Sequence, residues 1–315
     1  MGDVTIAQDA TPEEVTQIAD ELEAYGQEKT GGRLNFPGEK DPGFGFSIAV
    51  VDAEGEVAGG LNVSSFLGFM WLELLWTSEA HRRRGIASWL ILEAERIALE
   101  NGCIGAGTWT LNWQGADFYP RIGFQLNGVF DGYPEGTTEH VLTKRLPSST
   151  EVQAHVLSHI DRNIRDGYQL VASPTDEQMA LVRQGLRDHS KTHVGDGMGS
   201  PGVDIHLALR DGSGRLVGGL VASTPYWVMA LEQLWIHEDF RGRGHGRALV
   251  ETAEEIASGL GCKAVQSWAF SMHTPSFFRH MGYASFGIVD GLIDGYTEDL
   301  LIKRLDAPAE SRPSP

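Results

Sequence analysis

Leu72-Glu73-Leu74-Leu75-Trp76, followed after a short interval by Arg82-Arg83-Arg84-Gly85-Ile86-Ala87, decides the fold because it is written twice. Its second writing is Leu231-Glu232-Gln233-Leu234-Trp235 with Arg241-Gly242-Arg243-Gly244-His245-Gly246, 159 positions later. Residues 72–146 align with 231–305 without a gap, and 28 of the 75 pairs are identical, too many for unrelated segments of similar composition. The chain is one module built twice, so each site must be sought in both copies.

A length of 315 residues suits two domains of roughly 150 residues. The reading is an N-terminal module over 1–146, a linker helix over 147–168, a C-terminal module over 169–305 and a tail over 306–315. Apolar residues at 41% and charged residues at 22% describe an ordinary globular protein. No apolar run approaches the roughly 18 residues of a membrane span, so no membrane partner is expected. Met1 to Asp9 carries no basic cluster ahead of an apolar stretch, which leaves a cytoplasmic location as the expectation. The formal charge of −18 argues against nucleic acid, because phosphate binding needs a basic stripe and the arginines here gather in two short turns. A cation would be drawn to such a field, although acidic surfaces mostly serve solubility. Cys103 and Cys262 are also 159 apart and read as small buried core residues. No metal site is expected.

Thr11-Pro12-Glu13-Glu14 is a helix start: Thr11 caps, Pro12 suits the first helical position, and Glu14 closes a capping box. Val15, Ile18, Ala19 and Leu22 mark its apolar face. Ser173-Pro174-Thr175-Asp176 reads as the same device at an offset of 162, which puts a three-residue length change before the gap-free region. Strands follow over 46–51 and 56–63, and over 205–210 and 215–222, each pair joined by a hairpin turn. Gly59-Gly60 and Gly218-Gly219 within them imply a bulge or a close backbone approach. The strand ending at Trp76 or Trp235 leads through the glycine turn into a helix, buried on Leu90, Ile91, Ala94, Ile97 and Ala98 or their equivalents. A strand near Trp109 or Trp268, a short helix around Phe118 or Phe277 and a terminal hairpin close each copy. Val152, Val156, Ile160 and Ile164, four apart, predict the linker helix. The small, polar, proline-bearing tail predicts disorder.

A strand that runs through a basic glycine turn into a helix presents backbone N–H groups at the positive helix end, a ready anion site. Glycine lets a ligand approach the backbone, and arginine adds charge-assisted contacts to phosphate. Arg82-x-x-Gly85-x-Ala87 and Arg241-x-x-Gly244-x-Gly246 resemble the Gln/Arg-x-x-Gly-x-Gly/Ala signature of the GNAT superfamily of N-acetyltransferases. Asn112, Phe118-Tyr119 and Gly123-Phe124 match that superfamily's later pattern. The resemblance implies an α/β (α+β) fold class: two GNAT modules, each a mixed, mostly antiparallel sheet flanked by helices, arranged as a pseudo-two-fold pair. It implies acetyl-CoA as co-substrate, its pyrophosphate held by Arg82, Arg83, Arg84, Gly85, Ile86, Ala87 and Ser88 or by Arg241, Gly242, Arg243, Gly244, His245, Gly246 and Arg247. The pantetheine would pair with strands splayed open near Leu75, Trp76 and Thr77, or Leu234, Trp235 and Ile236, with Asn112 nearby.

Acetyl transfer needs a neutral amine and releases a thiolate, so a base and an acid have work to do. The resemblance makes Tyr119 the acid; the second copy has Phe278 there and cannot donate. Glu73 and Glu232, on the strand before the turn, are candidate bases, with His140 a weaker one and a water relay a further option. The N-terminal module is the favoured catalyst of N-acetylation of a small amine: an amino acid derivative, a polyamine or an antibiotic. The alternatives are catalysis in the C-terminal module, and an acyl-CoA sensor or scaffold with chemistry lost in one or both copies. The resemblance implies that residues 31–45 and 189–202 occupy the place where relatives build the acceptor pocket, in the first and second copy. A monomer in which each module is the other's partner is expected, with a homodimer as the second option.

Overall fold

In the computed structural model the described residues are 4–32, 44–132, 136–146, 167–195, 202–273, 275–293 and 295–305. Fourteen strands and five α-helices are assigned among them. The strands are β1 (Thr5–Ala7), β2 (Phe46–Val51), β3 (Val57–Phe66), β4 (Phe69–Thr77), β5 (Gly105–Leu111), β6 (Gln125–Asp131), β7 (Thr138–Arg145), β8 (Gln169–Val171), β9 (Asp204–Arg210), β10 (Leu216–Ser223), β11 (Val228–Ile236), β12 (Ala264–Phe270), β13 (Ala284–Ile293) and β14 (Tyr296–Arg304). The helices are α1 (Pro12–Thr30), α2 (Ile86–Glu100), α3 (Asp176–Val194), α4 (His245–Gly259) and α5 (Pro275–His280). The linker helix read over 147–168 falls outside the described residues except for Gly167, a turn, and Tyr168; the tail over 306–315 also lies outside them.

Contacts gather the chain into two compact units, and these do not follow the repeat. The N-terminal unit holds Phe36–Met198 with Gly291–Ile293, and the C-terminal unit holds Met1–Asn35, Gly199–Asp290 and Asp294–Pro315. The N-terminal unit orders its strands β8-β2-β3-β4-β5-β7-β6, and the C-terminal unit β1-β9-β10-β11-β12-β14-β13. The two orders are equivalent, but each edge strand, β8 or β1, comes from the other copy of the sequence. The helix that follows it goes along: α3 packs on β3 and β4, and α1 on β10 and β11. The compact units therefore differ from the sequence copies 1–146 and 169–305, because the first strand and helix of each copy complete the sheet of the other.

The exchange is fixed by glycine pairs. A Cβ on Gly60 would stand 2.5 Å from Val182 of α3, and one on Gly219 would stand 2.1 Å from Ile18 of α1. The close approach expected of these glycines is therefore that of a helix from the opposite copy. Ile18 and Val182 are both fully buried. α1 begins as read, with the Thr11/Glu14 capping box and Pro12. α3 differs: its cap is Thr175, boxed with Gln178, so Ser173-Pro174 stands outside the helix. The equivalence Thr11 to Thr175 sets the offset at 164 instead of 162, which makes Ile18 and Val182 equivalent and the length change five residues. Arg210 of β9 ties α1 down through Glu14 at 2.6 Å and Asp9 at 3.0 Å.

On the opposite face of each sheet, α2 or α4 covers the main core. Ile91, Ala94, Met70, Leu72 and Leu142 belong to that core in the N-terminal unit, and Val250, Ala253, Met229, Leu231 and Leu301 in the C-terminal unit. Cys103 and Cys262 are free and buried in these cores, as read. Burial pushes the Cys103 thiol up to about 11, which leaves it inert.

Candidate functional site

β4 and β5 run parallel from Phe69↔Gly105 to Leu72↔Thr108 and then part, although β4 continues to Thr77 and β5 to Leu111. β11 and β12 part likewise after Leu231↔Ser267. Leu75, Trp76 and Thr77, and Leu234, Trp235 and Ile236, thus lie in the open arm of a splay that begins just before them. The cause is a bulge. Asn62 pairs with Leu74 but Val63 with Leu72, so Glu73 is the extra residue, and the register around Val221 and Ala222 leaves Glu232 in the same place. Both glutamates are exposed and accept from a serine on the neighbouring strand, Glu73 from Ser64 and Glu232 from Ser223 at 2.6 Å.

Beyond the splay, the two turns share one backbone. Arg82 and Arg241 are extended, Arg83 and Gly242 are left-handed at φ +62° and +71°, and Gly85 and Gly244 are left-handed at +87° and +83°. α2 and α4 start immediately after, so the N–H groups of Ile86, Ala87 and Ser88, or of His245, Gly246 and Arg247, have no acceptor within their own helix. A Cβ on Gly85, Gly242 or Gly244 would meet nothing within 4 Å, which is the open cradle a pyrophosphate requires. In the C-terminal unit the turn lines a cleft of about 360 Å³ with Phe240, Phe277, His280 and Met281. The first arginine of each turn folds back on the strand: Arg82 Nε donates to Thr77 O at 3.3 Å, and Arg241 Nε to Ile236 O at 2.8 Å. These two arginines brace the turn, whereas Arg83, Arg84 and Arg243 stay exposed beside it, Arg84 donating to the Tyr168 hydroxyl at 3.2 Å.

The model of the acetyltransferase (GNAT) family matches residues 9–124 and again 177–283. The chain belongs to the GNAT family. A blasticidin-S acetyltransferase of Streptomyces morookaense is 41% identical over 95 residues, which is 29% of this chain and 68% of that protein. An acetyltransferase of Agrobacterium fabrum is 33% identical over 99 residues, 31% of this chain and 72% of that protein. Among solved structures, an acetyltransferase from Bacillus cereus aligns with 43% of this chain and 96% of its own at 23% identity and a TM-score of 0.39.

GNAT enzymes use acyl-CoA as donor, so the remaining residues sort by which side of the splay they face. Tyr119 is 5% exposed, packed edge-on against Phe118 and Phe124 in the α2-side core. Its hydroxyl hydrogen bonds with Thr108, the last β5 residue paired with β4, and so stands at the fork of the splay. Burial pushes the phenol up to about 12, so it stays protonated. Phe278 is its GNAT counterpart in the C-terminal unit, where the only hydroxyl of this aromatic pair is on Tyr283, facing Glu254. Asn112 is exposed and opens a short turn after β5. His140 accompanies Leu142 on the α2 side and contacts Thr138 at 3.0 Å; burial lowers its pKa. The rings of Trp76 and Trp235 are taken up by packing, Trp76 against Gly185 of α3 and Trp235 against Ile18, so only their backbones are available to a cofactor.

The face of each splay covered by α3 or α1 holds residues that the sequence reading named only within the segment 189–202 or not at all. On α3, His189 reaches Arg82 at 3.5 Å and packs on Trp113, as does His193. Burial and the neighbouring Arg82 lower the His189 pKa, which keeps its ring neutral. On α1, Tyr25 lies under Arg241 at 4.7 Å and beside His273. With an offset of 164, Tyr25 and His189 are equivalent. Each glycine turn is thus touched by the helix of the opposite copy, while residues 33–43 and 196–201 of the segments read as the acceptor pocket lie outside the described residues. Two further acids, Glu139 of β7 and Glu298 of β14, occupy equivalent positions, and burial pushes each carboxyl up to about 7.

Proposed function

We propose that this chain transfers an acetyl group from acetyl-CoA directly to the nitrogen of a small cationic amine, and that the N-terminal unit performs the transfer. The observation that carries the assignment is Tyr119, a buried hydroxyl at the fork of the splay where its counterpart is Phe278. The Arg82–Ser88 turn would hold the pyrophosphate, the open arm of β4 would align the pantetheine, and the Tyr119 O–H would donate a hydrogen bond to the departing sulfur. A phenol near 12 suits that donation better than complete release of its proton. The acceptor would arrive from the α3 side, past Trp71, Trp109 and Trp113, aromatic faces suited to a cation or a flat ring. The relation to a blasticidin-S acetyltransferase makes an antibiotic amine a reasonable first substrate.

The C-terminal unit keeps an open anion cradle with two left-handed glycines and has Phe278 at the position of Tyr119. Its reading is an acyl-CoA site without efficient turnover. Release of free thiol from acetyl-CoA across an amine panel that includes blasticidin S, with mass detection of the product, tests the proposal. Tyr119→Phe should lower turnover by about 10²-fold or more. Gly85→Glu, which places an anion in the first cradle, should abolish it, and Gly244→Glu should leave most of it. Loss with Gly244→Glu and retention with Gly85→Glu would move catalysis to the C-terminal unit.

A further inference from the structure

Glu139 lies on the acceptor side of the splay. Leu111, the last residue of β5, pairs with Glu139, and Trp109 with Val141, so Trp109, Leu111 and Glu139 share one face of the sheet. The Trp71 ring covers Gly107 on that same face. Trp71 pairs with Ser64, the donor to Glu73, and Ser64 shares its side of β3 with Gly60, against which α3 packs. Tyr119 and Thr108 are on the reverse face. The hydroxyl and the carboxylate therefore approach the open strands from opposite sides. Glu298 repeats the position, paired with Phe270 at the end of β12 and 9% exposed.

Neither carboxylate has a hydrogen bond or ion pair among the described residues. Glu139 is half-buried and Glu298 is buried at 9% exposure, so each carboxylate has lost part of its water without gaining a cation, a cost that an arriving ammonium group would relieve. Both glutamates survive in a pair of copies that differ at almost two positions in three. The carboxylates that α2 and α4 bring to these strands are partnered: Glu95 meets Lys144 of β7 at 2.7 Å and Glu254 meets Lys303 of β14 at 2.6 Å.

We propose that Glu139 receives the ammonium group of the acceptor and takes its proton, and that Glu298 offers the same anionic seat in the C-terminal unit. The proposal rests on the transferase reading above. One proton passes from the ammonium to Glu139 and on to solvent. The freed amine attacks the acetyl carbon, the C–N bond forms and the C–S bond breaks. The second nitrogen proton leaves with the thiolate, giving amide and free CoA thiol. A carboxyl held near 7 is neutral in acid and a competent base just above neutrality.

The test uses the full chain with acetyl-CoA and the best amine of the panel, following thiol release from pH 5.5 to 9. In the unaltered protein kcat/KM should fall toward acid through an apparent pKa near 7. Glu139→Gln should lower kcat by about 10²-fold or more and erase that limb. Glu139→Asp should keep the limb with part of the rate. Acetyl-CoA affinity by calorimetry should stay within about twofold in every variant. An intact rate in Glu139→Gln, or a lower rate with the acid limb retained, overturns the proposal, the second outcome marking a structural role. If no amine is turned over by the unaltered protein, the transferase reading fails instead. Amine binding in the presence of CoA then decides for Glu139: binding lost in Glu139→Gln upholds the anionic seat, and absent or unchanged binding overturns it.

Discussion

Arg83 holds a left-handed backbone at φ +62° where the second turn has Gly242 at +71°. An ordinary side chain in that region costs about 1 kcal/mol, so its retention in the first turn points to use of the guanidinium. Arg83→Gly should leave the melting temperature within a few degrees, since relief of strain offsets the greater freedom of glycine in the unfolded chain. It should nevertheless weaken acetyl-CoA binding at that turn about tenfold, the worth of one charge-assisted contact to phosphate. Thermal unfolding and calorimetry together check this, and unchanged affinity would remove Arg83 from the site. The turn residues were legible because strand, glycine and helix follow one another in sequence. Glu139 was not: an acid in a strand reads the same whether it meets solvent or the open end of β5.

Among the elements, α1 and α3 carry the main surprise. The cap of α1 could be read from Thr11 and Glu14, whereas the second cap is Thr175 boxed with Gln178, and the packing of Val182 on Gly60 and of Ile18 on Gly219 shows which helix covers which sheet. A methyl group on Gly60 would overlap Val182, so Gly60→Ala should destabilise the protein by about 1–3 kcal/mol. Val182→Ala should restore much of that loss in the double variant, and Ile18→Ala should restore none. Denaturant unfolding of the double variants distinguishes the exchanged helices from the arrangement in which each copy keeps its own, since the latter expects the reverse.

For the whole molecule, the exchange makes each copy incomplete. Residues 1–146 alone would carry α1 with Ile18 exposed and would lack β8 and α3, which cover Gly60 and Trp76. Full burial of one such aliphatic side chain contributes about 1.5–3 kcal/mol, and several are lost at once from a total stability of 5–15 kcal/mol. Residues 1–146 and 167–305 should therefore each fail to unfold cooperatively when produced separately, and should regain a cooperative transition when produced together. A cooperative transition in residues 1–146 alone, by circular dichroism, would show that the copy folds without its exchanged helix.

The sequence by itself determined the module and its duplication, the strand-turn-helix that forms each anion cradle, and Tyr119 against Phe278. These depend on local backbone requirements and on spacing, which a chain states openly. Only the tertiary structure decided which copy supplies each first helix, which face of each splay that helix covers, and that Glu139 is half-buried and Glu298 buried beside the ends of β5 and β12. Two equivalent helices face two equivalent glycine grooves, so pattern alone cannot assign one to the other, and burial of a charged group is settled by what packs around it from distant parts of the chain.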